Sequence, residues 1–298
     1  MMRKWLVVLI LLVGSLSVFA GEGKDELGKR RELVYKVDIK DEIGPSIWRL
    51  VKKSFDRATD EDADIILVHM NTYGGMVVYA DSLRSLILNY PKPVWVFIDN
   101  NAASAGALIS IACDRIYMRE GANIGAATVV NQTGEAMPDK YQSYMRSMIR
   151  ATAQAHGKDT VTKNGQTVIR WRRDPGIAEA MVDERVVVEG LTDSGKVVTF
   201  TPHEAIQYGY CDGIAENVGE VLQKEGITDY ELHEYKPTTM DRFIGFLISP
   251  IVQGILIMII IGGIYFELQT PGIGFPLVAA LTACLLYFAP LYLEGMAN

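Results

Sequence analysis

The chain has 298 residues, enough for one sizeable soluble domain with accessory segments. Its formal net charge of −7 argues against nucleic-acid binding, and no basic stripe appears apart from short clusters such as Arg170 to Arg173, which reads as a solvated face or, failing that, a substrate or headgroup contact. Cys113, Cys211 and Cys284 do not make a disulfide framework; Cys284 lies in an apolar run, and the other two read as buried thiols rather than a pair.

The N-terminus carries Arg3 and Lys4, an apolar stretch from Trp5 to Val13, and Val18-Phe19-Ala20 before Gly21. That is the pattern of a secretory signal peptide over 1–20, with an uncleaved anchor as the alternative; both place the following domain outside the cytoplasm. Residues 21–31, rich in Gly, Lys and Glu, read as a solvated linker. Leu33 to Ile39 alternates as a strand, and Gly44-Pro45 opens a helix with Ile47, Leu50, Val51 and Phe55 on one face. A strand over 64–70, a helix from Val77 to Tyr90, a strand over 94–99, a helix from Ser104 to Ala112 and a strand from Arg115 to Met118 follow. Strands alternating with helices predict a mostly parallel sheet with helices on its faces.

Pro138 opens a long helix to about Ala155, with Tyr141, Tyr144, Met145, Met148 and Ile149 at helical spacing. Thr201-Pro202-His203-Glu204 matches a capping box, and Cys211 to Ala215 returns to a strand. This soluble domain is expected over 32–236, followed by a juxtamembrane segment, 237–249, in which Met240 to Ile248 reads as an amphipathic piece lying on the lipid surface. Pro250 to Leu268 and Phe275 to Leu293 are apolar runs of bilayer-spanning length, separated by the reversal Thr270 to Gly274; the expectation is a transmembrane helical hairpin over 250–298.

Chemistry concentrates in two stretches, Asn71-Thr72-Tyr73-Gly74-Gly75 and Ala103-Ser104-Ala105-Gly106-Ala107, each after a buried strand. A glycine pair leaves backbone N–H groups uncovered, and a serine at a helix N-terminus sits where negative charge is favoured. Together these can supply a nucleophile and an oxyanion hole for acyl transfer. Serine needs a base, and none of the four histidines falls in an obvious triad pattern. His69 could lie nearby but reads mainly as a packing or hydrogen-bonding residue; His156 and His203 read as helix-end surface residues, and His233 lies in a charged stretch. Lysine in an apolar wall loses proton affinity, and Lys140, at the start of the long helix, suits that role better than Lys158 or Lys163.

Asn71 to Gly75, Ala102 to Ala107 and Ile124-Gly125-Ala126-Ala127 resemble the Clp-protease/crotonase superfamily. The chain from about residue 32 onward resembles more closely the NfeD family of membrane-bound ClpP-class serine proteases, through Asp174 to Val182, Thr201 to Ala205 and Leu268 to Gly272. The resemblance implies a ClpP/crotonase-like α/β domain of repeated β-β-α units and a Ser–Lys dyad of Ser104 and Lys140. It further implies oxyanion amides from Gly75 and Ala105, with Gly74 and Tyr73 beside the site. The segment Gly125 to Thr128, where soluble Clp peptidases place a histidine, has none. Tyr73 departs from the proline common in the family. The chain stops at Asn298, without the further helices and OB-type domain of larger members, which reads as a short form, a fragment or one gene of a split pair. Lys163 to Trp171 resembles an insertion, either a lid or a surface hairpin. The expected protein is thus a serine endopeptidase of the cytoplasmic membrane, multi-pass, with its protease domain on the extracytoplasmic side. It would cut hydrophobic segments of stomatin-like proteins, self-associate, and need neither metal nor organic cofactor. A non-proteolytic scaffold for stomatin-like partners is the alternative. A crotonase-type thioester enzyme is disfavoured by the export signal.

Overall fold

The first strand, β1 (Glu32–Ile39), buries alternate side chains on the two faces of a sheet, and Gly44 then turns the chain into α1 (Pro45–Asp60). Pro45 suits the first turn because its missing N–H would have no helical acceptor there. Ile47, Val51, Phe55 and Ala58 bury one side of α1. β2 (Ile65–Thr72), α2 (Val77–Leu88), β3 (Val94–Ala103), α3 (Ala105–Ala112), β4 (Arg115–Met118) and β5 (Asn123–Gly125) continue the alternation. They are followed by α4 (Asp139–Ala155), β6 (Lys158–Lys163), β7 (Gln166–Trp171), α5 (Pro175–Ala180), β8 (Thr199–Phe200), α6 (Pro202–Gln207), β9 (Gly213–Ile214), α7 (Val218–Lys224) and β10 (Tyr230–Glu234). Last come α8 (Thr239–Leu247), α9 (Pro250–Gln269) and α10 (Phe275–Gly295). These elements come from a computed structural model that describes residues 31–163, 166–270, 272 and 274–295. The signal peptide expected at 1–20, and all of the expected linker but Arg31, lie outside the described residues.

The sheet runs β10-β1-β2-β3-β4-β9, all parallel, with β5 added beside β3 and β8 antiparallel to β5. This is the α/β arrangement expected of the ClpP/crotonase class. Its central strands are apolar on both faces, as a covered parallel sheet requires. Val37, Val68, Val96 and Ile116 pack under α1, α2 and α3, whereas Val34, Leu67, Trp95, Phe97 and Tyr117 pack with Val221, Leu222 and Ile227. β3 runs further than its apolar stretch, because Asn101 to Ala103 pair with β5. Cys113 and Cys211 are buried and free; burial pushes the Cys211 thiol up to about 12.

Arg173 corrects the solvated reading of its cluster. It is 1% exposed, and its guanidinium donates to the Ile111 carbonyl at 3.0 Å, at the C-terminal end of α3. His156, placed at the end of α4 as expected but half-buried, shares that carbonyl at 2.8 Å. A cation there complements the helix dipole. β6 and β7 form a separate two-stranded hairpin at the end of α4 opposite to Lys140, about 22 Å away along the helix axis.

α9 is apolar and long enough to cross a bilayer, with a mean hydropathy of 2.1, whereas the apolar part of α10, Phe275–Pro290, is shorter. The two helices pack against each other where Gly263 lacks a side chain: a Cβ there would stand 2.4 Å from the Pro276 carbonyl oxygen. Glu267 closes the reversal by accepting from the N–H groups of Gly272 and Gly274, at 3.2 and 3.1 Å.

Candidate active site

The C-terminal ends of β2 and β3 bring the glycine pair and the serine together. Thr72 steers the chain off β2: its hydroxyl donates to the Asp41 carbonyl at 2.8 Å and accepts from the Gly74 N–H at 3.2 Å. Ile43 then straps the loop, donating to the Gly74 carbonyl and accepting from the Met76 N–H, both at 2.8 Å. Between these bonds, the Gly75 N–H has no acceptor among the described residues. Gly74 and Gly75 have φ of +115° and +151°, a region that disfavours side chains. A Cβ on Gly75 would stand 2.3 Å from the Ile43 carbonyl oxygen, and one on Gly74 only 2.7 Å from the Ser104 Cβ. The first glycine is therefore what lets Ser104 come close.

Ser104 ends β3 and caps α3 with φ 54° and ψ −116°, outside the ordinary regions for an L residue. Its N–H donates to the Gly125 carbonyl at 2.9 Å, and its carbonyl accepts from Ala107 and Leu108. The hydroxyl makes no hydrogen bond among the described residues and is half-buried. Ala105 is the first residue of α3, so its N–H has no acceptor within the helix and points with the positive end of the dipole. An open cleft of about 490 Å³ runs beside the loop, lined by Lys40 to Glu42 and Asn71 to Gly75. Tyr73 stands at its rim, 81% exposed.

Lys140 is not brought to Ser104. It is exposed in the first turn of α4, its ammonium 4.9 Å from the centre of the Tyr141 ring, with no hydrogen bond to any described residue. The expected apolar wall around it is absent because Tyr141 and Tyr144 face outward, while Gln142, Met145 and Ile149 face the core.

Sequence reasoning missed what holds this first turn. Asp139 pairs with Arg185 and Arg146, and both arginines also pair with Asp183. Hydrogen bonds from Arg185, above all, keep the Asp183 carboxyl far below the usual carboxylate range. The missed strand-end polar chain is also visible: Asn71 accepts from the Asn101 N–H at 3.2 Å, and Asn123 donates to Asn101 at 2.9 Å. No local sequence pattern marks either group, since their members lie on different elements. His69 packs against Phe97 and bonds Asp99 at 3.1 Å, which fits its expected packing role; burial, first, holds its pKa below the ordinary value. His203 is exposed beside Glu120, and His233 lies on the edge strand β10 beside Glu61. No cluster of His, Cys, Asp or Glu among the described residues has metal-holding geometry.

Family models match both parts of the chain: the NfeD1b N-terminal domain over residues 33–235 and the NfeD integral membrane domain over 251–298. The chain belongs to the NfeD family. It is 30% identical to membrane protein NfeD1b of Bacillus subtilis (strain 168) over 269 residues, covering 90% of this chain and 58% of that protein. It is 23% identical to the membrane-bound protease PH1510 of Pyrococcus horikoshii over 269 residues, 81% of this chain and 54% of that one. The chain thus spans little more than half the length of these relatives. In fold it is similar to the 1510-N membrane-bound stomatin-specific protease solved in complex with a substrate peptide, with a TM-score of 0.58 at 22% identity, covering 73% of this chain and 98% of that one. A second structure of 1510-N, the membrane protease from Pyrococcus horikoshii specific for a stomatin homolog, gives 0.52 at 21% identity, covering 74% and 100%. This NfeD chain is therefore a membrane protein whose N-terminal domain shares the fold of 1510-N.

Proposed function

We propose that this NfeD protein is a membrane-bound serine endopeptidase that works through a Ser104–Lys140 dyad. The observation that carries the reading is the Ser104 hydroxyl, held in a strained cap against Gly74, without a hydrogen-bond partner, and beside the uncommitted N–H of Ala105. Lys140 takes the Ser104 proton as Oγ bonds to the carbonyl carbon of a peptide. The N–H groups of Gly75 and Ala105 receive the negative oxygen. Lysine returns the proton to the leaving amine as the C–N bond breaks, and then activates the water that frees the acyl group. This requires the start of α4 to bring the Lys140 side-chain nitrogen, as the neutral amine, to about 3 Å from Ser104 Oγ, a closure that substrate or a second copy of the chain would drive. Substrates are hydrophobic segments of stomatin-like membrane proteins, a reading supported by the relatives' stated specificity for a stomatin homolog. The chain crosses the cytoplasmic membrane twice, through α9 and α10, with its soluble domain on the extracytoplasmic side.

A serine-reactive phosphonate tests the dyad on the full chain in detergent. Labelling disappears in Ser104→Ala and in Lys140→Ala; labelling that persists in Ser104→Ala overturns the proposal. The exposed Lys140 ammonium, turned to the Tyr141 ring and making no hydrogen bond to Ser104, also favours a second reading, a non-proteolytic scaffold for stomatin-like partners. Partner binding unchanged by both substitutions, without phosphonate labelling or cleavage by the wild type, selects the scaffold.

A further inference from the structure

α8 joins the soluble domain to the apolar hairpin, and both joints are made of specific bonds. On the domain side, the Asp241 carboxylate is 7% exposed and lies against α1, 2.9 Å from Arg49 and 2.6 Å from Lys53. Tyr235 and Thr238 donate to its other oxygen. Burial alone would raise this carboxyl, but the bonds from Lys53, Tyr235 and Thr238 outweigh it and hold the group charged far below the usual range. One turn further, the Ser46 hydroxyl donates to the Gly245 carbonyl at 2.9 Å. On the hairpin side, Gln253 donates to the Leu247 carbonyl at 2.7 Å, and Leu247 packs with Leu256 and Ala283. α8 is thus fixed at both ends, and α9, the helix that can cross a bilayer, starts at Pro250.

Among the described residues, none covers the other side of α8. Met240, Phe243 and Phe246 are 55%, 46% and 61% exposed, at helical spacing on one face. We infer that this face docks on the phospholipid bilayer, with its aromatic rings at the level of the headgroups and upper acyl chains. Continuity argues for lipid as the occupant: the face belongs to a helix rigidly packed on the apolar hairpin, and Ile251, exposed just beyond it, extends the same apolar surface into the span. An amphipathic helix lying in the interface gains by burying such a face. The consequence is orientation. Because α8 is clasped to α1, the soluble domain is held at a fixed attitude to the membrane instead of swinging on a tether. This holds whether or not the domain cuts peptides.

Two measurements on the full chain, reconstituted in vesicles of phosphatidylcholine and phosphatidylglycerol, test it. In the wild type, peroxide oxidation followed by mass spectrometry compares Met240 with Met76, which is 46% exposed on α2's cap in the soluble domain. Met240 is expected to oxidise several-fold more slowly than Met76, despite its greater exposure in the protein alone. Separately, Phe243→Trp and Phe246→Trp, both at exposed positions, are expected to emit at shorter wavelength and to be quenched by lipids brominated on the upper acyl chain. Lys196→Trp, at an exposed position of the soluble domain, should not be quenched. Equal or faster oxidation of Met240 overturns the inference. Protection of Met240 without bromolipid quenching also overturns it, and assigns the face to a second copy of the chain.

Discussion

Ser104→Gly isolates the strain at the proposed nucleophile from its chemistry. At φ 54° and ψ −116°, Ser104 occupies backbone space that costs a residue with a Cβ about 1–3 kcal/mol. Glycine escapes that cost but has more unfolded-state freedom to lose, about 0.5–1 kcal/mol. Ser104→Ala keeps the Cβ and hence the strain, and likewise removes the hydroxyl. The two variants therefore share the lost nucleophile and differ in backbone strain and, oppositely, in unfolded-state freedom, so on balance the glycine variant should be the more stable by about 1 kcal/mol. For a domain of this size that is about 2–4 °C in midpoint temperature. Thermal unfolding of the full chain in one detergent, followed through the buried Trp95, reads the difference. If the glycine variant melts at or below the alanine variant, the turn is not strained. The claim that the fold forces Ser104 out of the ordinary backbone regions then fails.

Gly125→Ala would place a Cβ 2.4 Å from the Val198 carbonyl oxygen at a φ of +141°, parting β5 from β8 and moving the acceptor of the Ser104 N–H. It should cost about 3 kcal/mol and abolish phosphonate labelling, as melting and labelling on the same sample would show. Asp241→Asn leaves Arg49 and Lys53 without their carboxylate charge and should destabilise by about 2–3 kcal/mol, seen as faster amide exchange in α8 and the first turns of α1. Burial, and then the Arg173 charge, hold His156 down to about 4. The unfolded imidazole takes a proton at about pH 6.5, so His156 stabilises fully above that pH and loses its contribution as pH falls from 6.5 to 4, by at most about 3 kcal/mol. His156→Gln should flatten that part of the stability profile; identical profiles for variant and wild type would refute the assignment.

The alternation of strand and helix up to β4 was legible because each element there has a continuous apolar run or a clear helical stripe. The capping box at Thr201 and the glycine pair were equally local signals, and both stand where the pattern placed them. β5, β8 and β10 were not legible. The first two hold three and two residues, too few for a period, and the edge strand Tyr-Glu-Leu-His-Glu is mostly polar. Arg173 misled because a run of arginines looks solvated, while its burial depends on carbonyls from the end of α3, far away in sequence. The apolar wall expected around Lys140 fails through helix phase. Aromatic neighbours at helical spacing looked like a wall, yet Tyr141 and Tyr144 share the outward side and the core side belongs to Gln142, Met145 and Ile149.

The clasp and the glycine loop meet on one short piece of chain. Ile43 holds the Gly74–Met76 loop by two backbone bonds, and Ser46, in the first turn of α1, holds the Gly245 carbonyl of α8. The extended chain between Ile43 and Ser46 covers at most about 10 Å. If α8 lies on the bilayer, the loop that flanks the proposed nucleophile is therefore within about one helix diameter of the clasp, near the lipid surface. A freely diffusing peptide gains nothing from that placement. A segment that leaves the bilayer beside the protein arrives already confined to the same layer, which raises its effective concentration at the cleft. Tyr73, exposed at the rim, and the exposed Met76 and Val78 just after the glycine loop offer apolar surface to such a segment. Membrane proximity would then do part of the substrate selection, leaving the open cleft to provide alignment more than affinity.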